Sequence, residues 1–303
     1  MTWQVANRIA SIAATQAHGD LEIDSRSLPI QVSDAINGAD VTLMWQQMPA
    51  LFGVYIRGCG DRPGILVNSK MTRSARRHTA AHELGHHRLG HASSYESGSN
   101  IGSSCDPHQR SRAWSPSEQA AEAFASWFLM PRLGVIALLN DLEIPRLSNA
   151  SQVYQLSLHM GTAYASTVRH LQSLRLISRQ NSQDWARISP SILKRKIDGD
   201  LLGSTRDVDV WHLGRGASRT LHTSPLDLIY VPSASSDIRL EGGLRFEVED
   251  ANHTFVRCDE SDEVEYGRII TDRATTGIVI ECRPQGLFIP RNNTKEENDD
   301  YVG

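Results

Sequence analysis

The sequence predicts an α+β protein built in three parts. Three observations carry this reading. Four short apolar runs of β character precede a long segment of helical period. A leucine-rich helical stretch follows from residue 132 to about 197. Beyond residue 205 the text turns into short alternating runs broken by Gly, Ser, Asp and Asn. The expected divisions are a mixed helix-and-sheet domain over 1–135 that bears the chemistry, a helical, helix-turn-helix-like subdomain over 136–200, a mainly β domain over 205–290 that binds a signal or a partner, and a polar, disordered tail over 291–303.

Each element follows from local pattern. Residues 2–17 suit a helix with Trp3, Ile9 and Ile12 near its apolar face. PIQV (29–32), VTLMW (41–45), FGVYIRG (52–58) and, after the turn signal CGDRPG, GILVN (64–68) read as strands. The period then changes to that of a helix over 72–89, with Gly90 as its stop. Residues 91–115 are rich in Ser and Gly and lack period, which predicts a mobile or functional loop. A second helix starts at 116, with Ser115 as N-cap, Pro116 in the first turn, Glu118 placed for a capping box and Pro131 at its end. Residues 150–176 have a helix–turn–helix cadence with Gly161 at the turn.

Composition excludes some functions. Over 303 residues the net charge is −4, with 40% hydrophobic and 22% charged residues, so no basic field favours bulk nucleic acid or an anionic membrane. Cys59, Cys105, Cys258 and Cys282 are scattered and form no CxxC pair, which predicts reduced thiols. The first 20 residues lack the apolar core of a signal peptide. No run is expected to reach the ~18 apolar residues of a membrane span. The expected location is cytoplasmic.

The chemistry concentrates in RRHTAAHELGHHRLGH (76–91). His82 and His86 are four apart on one helix face, and Glu83 sits one step round. In this HExxH spacing two imidazoles hold zinc, which lowers the pKa of water towards ~7, and the Glu takes the proton as general base. Manganese or iron would fit the same ligands. The metzincin pattern for a third ligand would need Gly at 89 and His at 92, where Leu89 and Ala92 stand. The helix from 116 offers Glu118 and Glu122 instead. Glu118 is assigned as third ligand, with Glu122 behind it accepting the spare N–H of His82; the reverse order is the alternative. His87 and His91 are expected to be solvated or capping groups, and His78 a packing residue. Cys105, near His108, is an inert loop thiol unless it reaches the metal. Tyr154, His159 and Tyr164 are candidate oxyanion donors. The second helix of the turn motif offers only Arg169 and His170, so direct DNA binding is not expected. Trp211 and His212 would line a pocket of the β domain if they are not core.

Taken together, ILVNS with RRHTAAHELGHH at 65–87, and SEQAAEAFASWFLMP at 117–131, resemble the ImmA/IrrE family of zinc metallopeptidases. The resemblance covers about the first 190 residues. It implies a thermolysin-like (zincin) core, metal ligands at His82, His86 and Glu118, and a catalytic Glu83. Members often carry Asn where Glu122 stands. It also implies a substrate, an XRE-type helix-turn-helix repressor whose cleavage derepresses stress or mobile-element genes. Relatives of the radiation-response type carry a GAF-like sensor domain at the C-terminus, whereas this region fits a β sandwich or barrel better. Two other functions compete: a non-proteolytic regulator with a structural metal, and the protease of a toxin–antitoxin or phage-defence pair. A structural zinc normally has four protein ligands, often cysteines, so three N/O ligands beside Glu83 favour catalysis.

Overall fold

The computed structural model describes residues 2–58, 61–97, 115–198, 207–214, 220–250 and 252–290. Cys59, Cys105, His108 and the 291–303 tail lie outside the described residues. The chain is α+β, with helices and three small sheets.

Helix α1 (Trp3–Asp20) buries Ala6, Ala10, Ala14 and Ala17, while Trp3, Ile9 and Ile12 are exposed. The expected apolar face is therefore the outer one. Small side chains won the inner face because α1 packs closely along a later helix, α4 (Pro116–Leu129). His18 pins that contact, with Nε2 2.9 Å from the Phe128 carbonyl and Nδ1 2.8 Å from Ser25 Oγ. Trp127 Nε1 donates to Asn7 Oδ1 at 3.0 Å.

The expected strand at 29–32 does not form. The Ile30 carbonyl accepts from the Arg77 guanidinium at 2.6 Å instead of from a neighbouring strand, and Val32 already starts helix α2 (Val32–Gly38). Strands β1 (Thr42–Gln46), β2 (Leu51–Ile56) and β3 (Gly64–Asn68) match the remaining runs. β1 lies parallel to β3, in register Thr42 with Gly64, and β2 lies antiparallel to β3. Two strands not expected complete this sheet. β4 (Ser94–Ser97) pairs with β2, and the distant β13 (Gly286–Leu287) pairs with β1, giving the order β13-β1-β3-β2-β4. Asn68, ending β3, ties the β1–β2 connection: its Nδ2 donates to the Met48 and Leu51 carbonyls, and its Oδ1 accepts from Met48 and Lys70 N–H.

Helix α3 (Arg73–Arg88) crosses this sheet. Thr72 caps its start, and Gly90, at φ +69°, follows its end. It touches β2, β3, α1, α2 and α4, and the ten residues Arg76, Arg77 and Thr79–His86 are all buried. The stretch Pro116–Asp141 is long and apolar enough by composition to cross a membrane, contrary to the expectation from run lengths, yet 56% of its window is buried within the protein. It runs as α4 and α5 (Arg132–Asp141), separated at Met130–Pro131, and its Phe124, Phe128 and Leu129 are core residues.

Helices α6 (Ala150–Met160), α7 (Tyr164–Ser173), α8 (Arg179–Ala186) and α9 (Pro190–Asp198) follow. Gly161 closes α6 at φ +63°, and a Cβ there would meet the Arg77 and Arg73 guanidiniums at 2.7 and 2.8 Å, so both geometry and space require glycine. The remaining strands are β5 (Val210–His212), β6 (Leu221–Thr223), β7 (Leu228–Val231), β8 (Arg239–Gly242), β9 (Leu244–Glu249), β10 (Thr254–Cys258), β11 (Glu265–Ile270) and β12 (Thr275–Ile280). They form two four-stranded sheets, β5-β7-β10-β9 and β6-β12-β11-β8. Ile229 and Val256 of one, and Ile269, Ile278 and Ile280 of the other, share one core that is continuous with the helices and the first sheet. Trp211 is part of that core, as the alternative to pocket lining held, and it also borders a cavity described below.

His170 of α7 faces inward. Its Nε2 lies 3.0 Å from the Met130 carbonyl and its ring stands edge-on to Trp127, and burial pushes its pKa down to about 4 despite that hydrogen bond. A histidine held neutral in the fold contributes stability that is complete above its unfolded value of 6.5 and is lost as pH falls towards 4. Urea titrations at several pH values should show the wild type losing a few kcal/mol more than His170→Gln between pH 7 and 4.

Candidate metal centre

α3 and α4 meet at a glycine. A Cβ on Gly85 would lie 3.0 Å from the Phe124 ring and 3.2 Å from Ala121 Cα, so its absence sets how closely the two helices approach. That approach brings the first turn of α4 onto the histidine face of α3. Ser115 Oγ accepts from the Glu118 N–H, which is half of the expected capping box. The Glu118 carboxylate does not complete the other half. It is directed to the two histidines.

Nε2 of His82 and Nε2 of His86 are 3.1 Å apart. Glu118 places Oε2 3.1 Å from the first and Oε1 3.4 Å from the second. Both rings are 1% exposed, and one ligand atom from each residue lies within 4.8 Å of the others. The edges of a tetrahedron around zinc, with ~2.0–2.1 Å bonds, are ~3.3–3.4 Å, so the donor atoms are spaced as zinc ligands are. Among the described residues this is the one group of His, Cys, Asp and Glu close enough to hold a metal. Burial alone would raise the Glu118 carboxyl, but the hydrogen bonds and charge of His82 and His86 outweigh it and hold it well below the usual carboxylate range. It is thus an anion, as a ligand must be.

The ring nitrogens facing away from this point also have partners. Nδ1 of His86 is 3.0 Å from Nδ1 of His91. With Nε2 of His86 turned to a cation, its Nδ1 carries the proton and donates to His91. His91 is therefore a support for a ligand ring rather than the solvated group expected from sequence. Nδ1 of His82 is 3.7 Å from Glu122 Oε2, which makes a shorter contact of 2.8 Å to His78 Nε2. Glu122 thus lies behind His82, though at 3.7 Å it is farther than the hydrogen bond expected to its Nδ1–H, and its nearest partner is His78, which the sequence reading had treated as packing. Burial opposes ionisation of Glu122, and His78 and His82 together hold its carboxyl well below the usual range. His87 is half-buried with Nδ1 3.2 Å from the Tyr55 hydroxyl; burial and then Arg88 push its pKa down.

Glu83 is fully buried. Ser94 Oγ, on β4, donates to its Oε2 at 3.3 Å. Gly53 of β2 makes room for it, since a Cβ there would come within 2.7 Å of Glu83 Oε1 and 2.5 Å of Thr79 Cγ2. Neither glycine was singled out from sequence, because only the packing of α3 on its neighbours reveals the need.

The three oxyanion candidates stand elsewhere. The Tyr154 hydroxyl donates to Asp209 Oδ1 at 2.9 Å and accepts from the Val210 N–H. The Tyr164 hydroxyl donates to the Trp185 carbonyl at 2.8 Å. The His159 ring stands edge-on to Trp211, with centroids 5.5 Å apart. All three serve contacts among the later helices and the β region.

The arrangement separates the two carboxylates by their effect on metal binding. Glu118→Gln should weaken zinc binding by more than ~100-fold, and Glu122→Gln by about 10- to 100-fold, measured by competition with a chelator. Gly53→Ala should leave zinc affinity within about threefold in the same measurement, since its Cβ would displace Glu83 and not a ligand ring.

Comparison with known proteins follows the same lines. Residues 46–160 match a peptidase family model described as the IrrE N-terminal-like domain, a span that holds β2 to α6 and every residue of the metal cluster. No curated protein matches the chain. A solved structure described as a Mycobacterium tuberculosis transcriptional regulator aligns with 86% of this chain and 81% of its own, at 12% identity and a TM-score of 0.38, too distant to bear on fold or function. The resemblance to the ImmA/IrrE family first read from HELGHH and from the helix closing on FLMP is thereby supported over these residues.

Proposed function

We propose that this protein is a zinc-dependent endopeptidase that makes a site-specific cut in a partner protein. The observation that carries the reading is the convergence of His82, His86 and Glu118 with a buried Glu83 beside them. Zinc held there would supply Lewis acidity, lowering the pKa of water and polarising a substrate carbonyl. Glu83, next in sequence to His82, would serve as the general base, taking up a proton from the attacking water and handing it to the leaving amine. Three protein ligands among the described residues leave a coordination position for chemistry, which a structural site normally lacks. β4 is, among the described residues, one edge of the sheet, opposite β13, and its Ser94 touches Glu83. An edge strand offers backbone N–H and C=O groups to an extended peptide, which supports a protein substrate.

The finer parts of the reading rest on the resemblance of residues 46–160 to the IrrE N-terminal-like domain. They are a thermolysin-like core, an XRE-type repressor as the cut protein, and derepression of stress or mobile-element genes as the outcome. Direct DNA binding by α6 and α7 is left out of the proposal, and the burial of His170 supports leaving it out. The buried thiol of Cys258 supports a reducing, cytoplasmic setting.

The test is incubation of the zinc-loaded protein with an XRE-type repressor from the same genome, with and without Glu83→Gln. A single cut is expected, slowed at least ~10²-fold by Glu83→Gln while zinc content stays at the wild-type level. Binding of the repressor without a cut, unchanged by the substitution, would identify the protein as a non-proteolytic regulator.

A further inference from the structure

A cavity of about 1030 Å³ lies away from the metal centre. Its walls come from four places: the first turn of α3, α6 with the α6–α7 turn around Gly161, Pro190 and Lys194 of α9, and the β region with the segment Glu281–Gln285. That segment runs from β12 in the third sheet to β13 in the first, so the cavity sits where the β region is joined to the N-terminal sheet.

The charge in one part of this cavity is unbalanced. Arg73, Arg76 and Arg283 line it, and Arg77 lies on the same turn of α3. One carboxylate, Glu281, faces them. It is already committed: Arg73 grips it with Nε at 2.5 Å and Nη2 at 3.1 Å, and His222 Nδ1 lies 2.7 Å from its Oε1. Arg77 spends its donors on the Gly161 and Ile30 carbonyls. Arg76 is 6% exposed, and among the described residues its guanidinium makes one hydrogen bond, from Nη1 to the Met71 carbonyl at 2.8 Å. Among the described residues neither Arg76 nor Arg283 has a carboxylate at ion-pair distance. Burial, then Arg283, then Arg73 push the Arg76 pKa down to about 10. Like charges crowd it, and a buried charge is costly unless paired.

The acids elsewhere in the cavity do not relieve this. Asp227 accepts from Trp211 Nε1 and from the N–H groups of Asp209 and Ser224, and burial pushes its carboxyl up to about 7. Asp209 is held by Tyr154 and by Lys194 at 3.1 Å. Asp207, Glu260 and Asp262 are exposed. The strongest charged influences on Arg76 are Arg283, Arg73, Glu281 and Cys282, and none of these five acids is among them.

We propose that this cavity is a binding site for a small anionic molecule, whose phosphate or carboxylate group pairs with Arg76 and Arg283. The guanidinium is suited to such groups because its fixed fork makes two parallel hydrogen bonds. The first turn of α3 adds its positive end to the same corner. The volume is at the upper end of small-molecule pockets, which leaves room for a body behind the anionic group. Because Arg76 belongs to the helix that carries His82 and Glu83, and Arg283 to the segment that joins the sheets, one anion there would clamp the β region to the catalytic helix. The proposal stands whether or not the protein is a peptidase.

The test uses inorganic phosphate and acetate as probes on the full chain, titrated by calorimetry and by thermal unfolding, with zinc present and after its removal with EDTA. Saturable binding of phosphate or acetate is expected, with a rise in Tm, in both metal states. Arg283 is exposed, so Arg283→Gln should fold normally and weaken binding at least tenfold; Arg76→Gln should do the same. Binding that disappears with zinc would place the anion on the metal and overturn the proposal. So would binding unaffected by Arg283→Gln, or no saturable binding of either probe. The two probes separate phosphate-bearing from carboxylate-bearing ligands.

Discussion

The close packing of α3 on α4 is the constraint on which the site depends. Two histidines four apart on one helix make only part of a metal site. The third donor has to come from another element and arrive within about 3 Å of both rings, a distance set by how near two helix axes can come. Here that distance is fixed by Gly85 against Ala121 and Phe124. The stacked pair Phe124 and Phe128 then fills the space below, and α1 lays its alanine face over the far side of α4. Small residues at the contacts and large ones beneath them hold Glu118 over the histidine pair.

A second layer of polar contacts orients the rings. His91 behind His86, and Glu122 with His78 behind His82, leave the Nε2 atoms turned toward each other and toward Glu118. Glu83 gains its position differently, from sterics: Gly53 yields the space and Ser94 supplies a hydrogen bond. These supports come from α3, from the residues just beyond it, from α4 and from two strands. The histidine-rich segment is crowded because it contains both the groups that would grip an ion and some of those that aim them.

The regions beyond residue 135 are tied to this core rather than appended to it. β13 returns to pair with β1, Arg73 binds Glu281, and Gln155 bonds the backbone of β5 at Val210 and His212. Tyr154 extends the same seam through Asp209. The seam encloses the cavity in which Arg76 and Arg283 stand, so the place where the halves meet is also the place where charge is left over.

Local sequence was sufficient for whatever depends on neighbours along the chain. The spacing of His82 and His86, the cap at Ser115, the stop at Gly90, and the strands β1, β2 and β3 were all legible, because period, caps and turn residues act over a few positions. Glu118 was legible as a candidate from its place in an acid-bearing helix. What lay beyond sequence were relations between distant segments. The burial of the alanine face of α1, the missing strand at 29–32, the return of β13, the link from Glu122 to His78, the support from His91 and the use of Tyr154 in a seam were decided by tertiary packing. A side chain's partner is fixed by which surfaces meet. A one-dimensional pattern states what a residue can do, and the fold chooses what it faces.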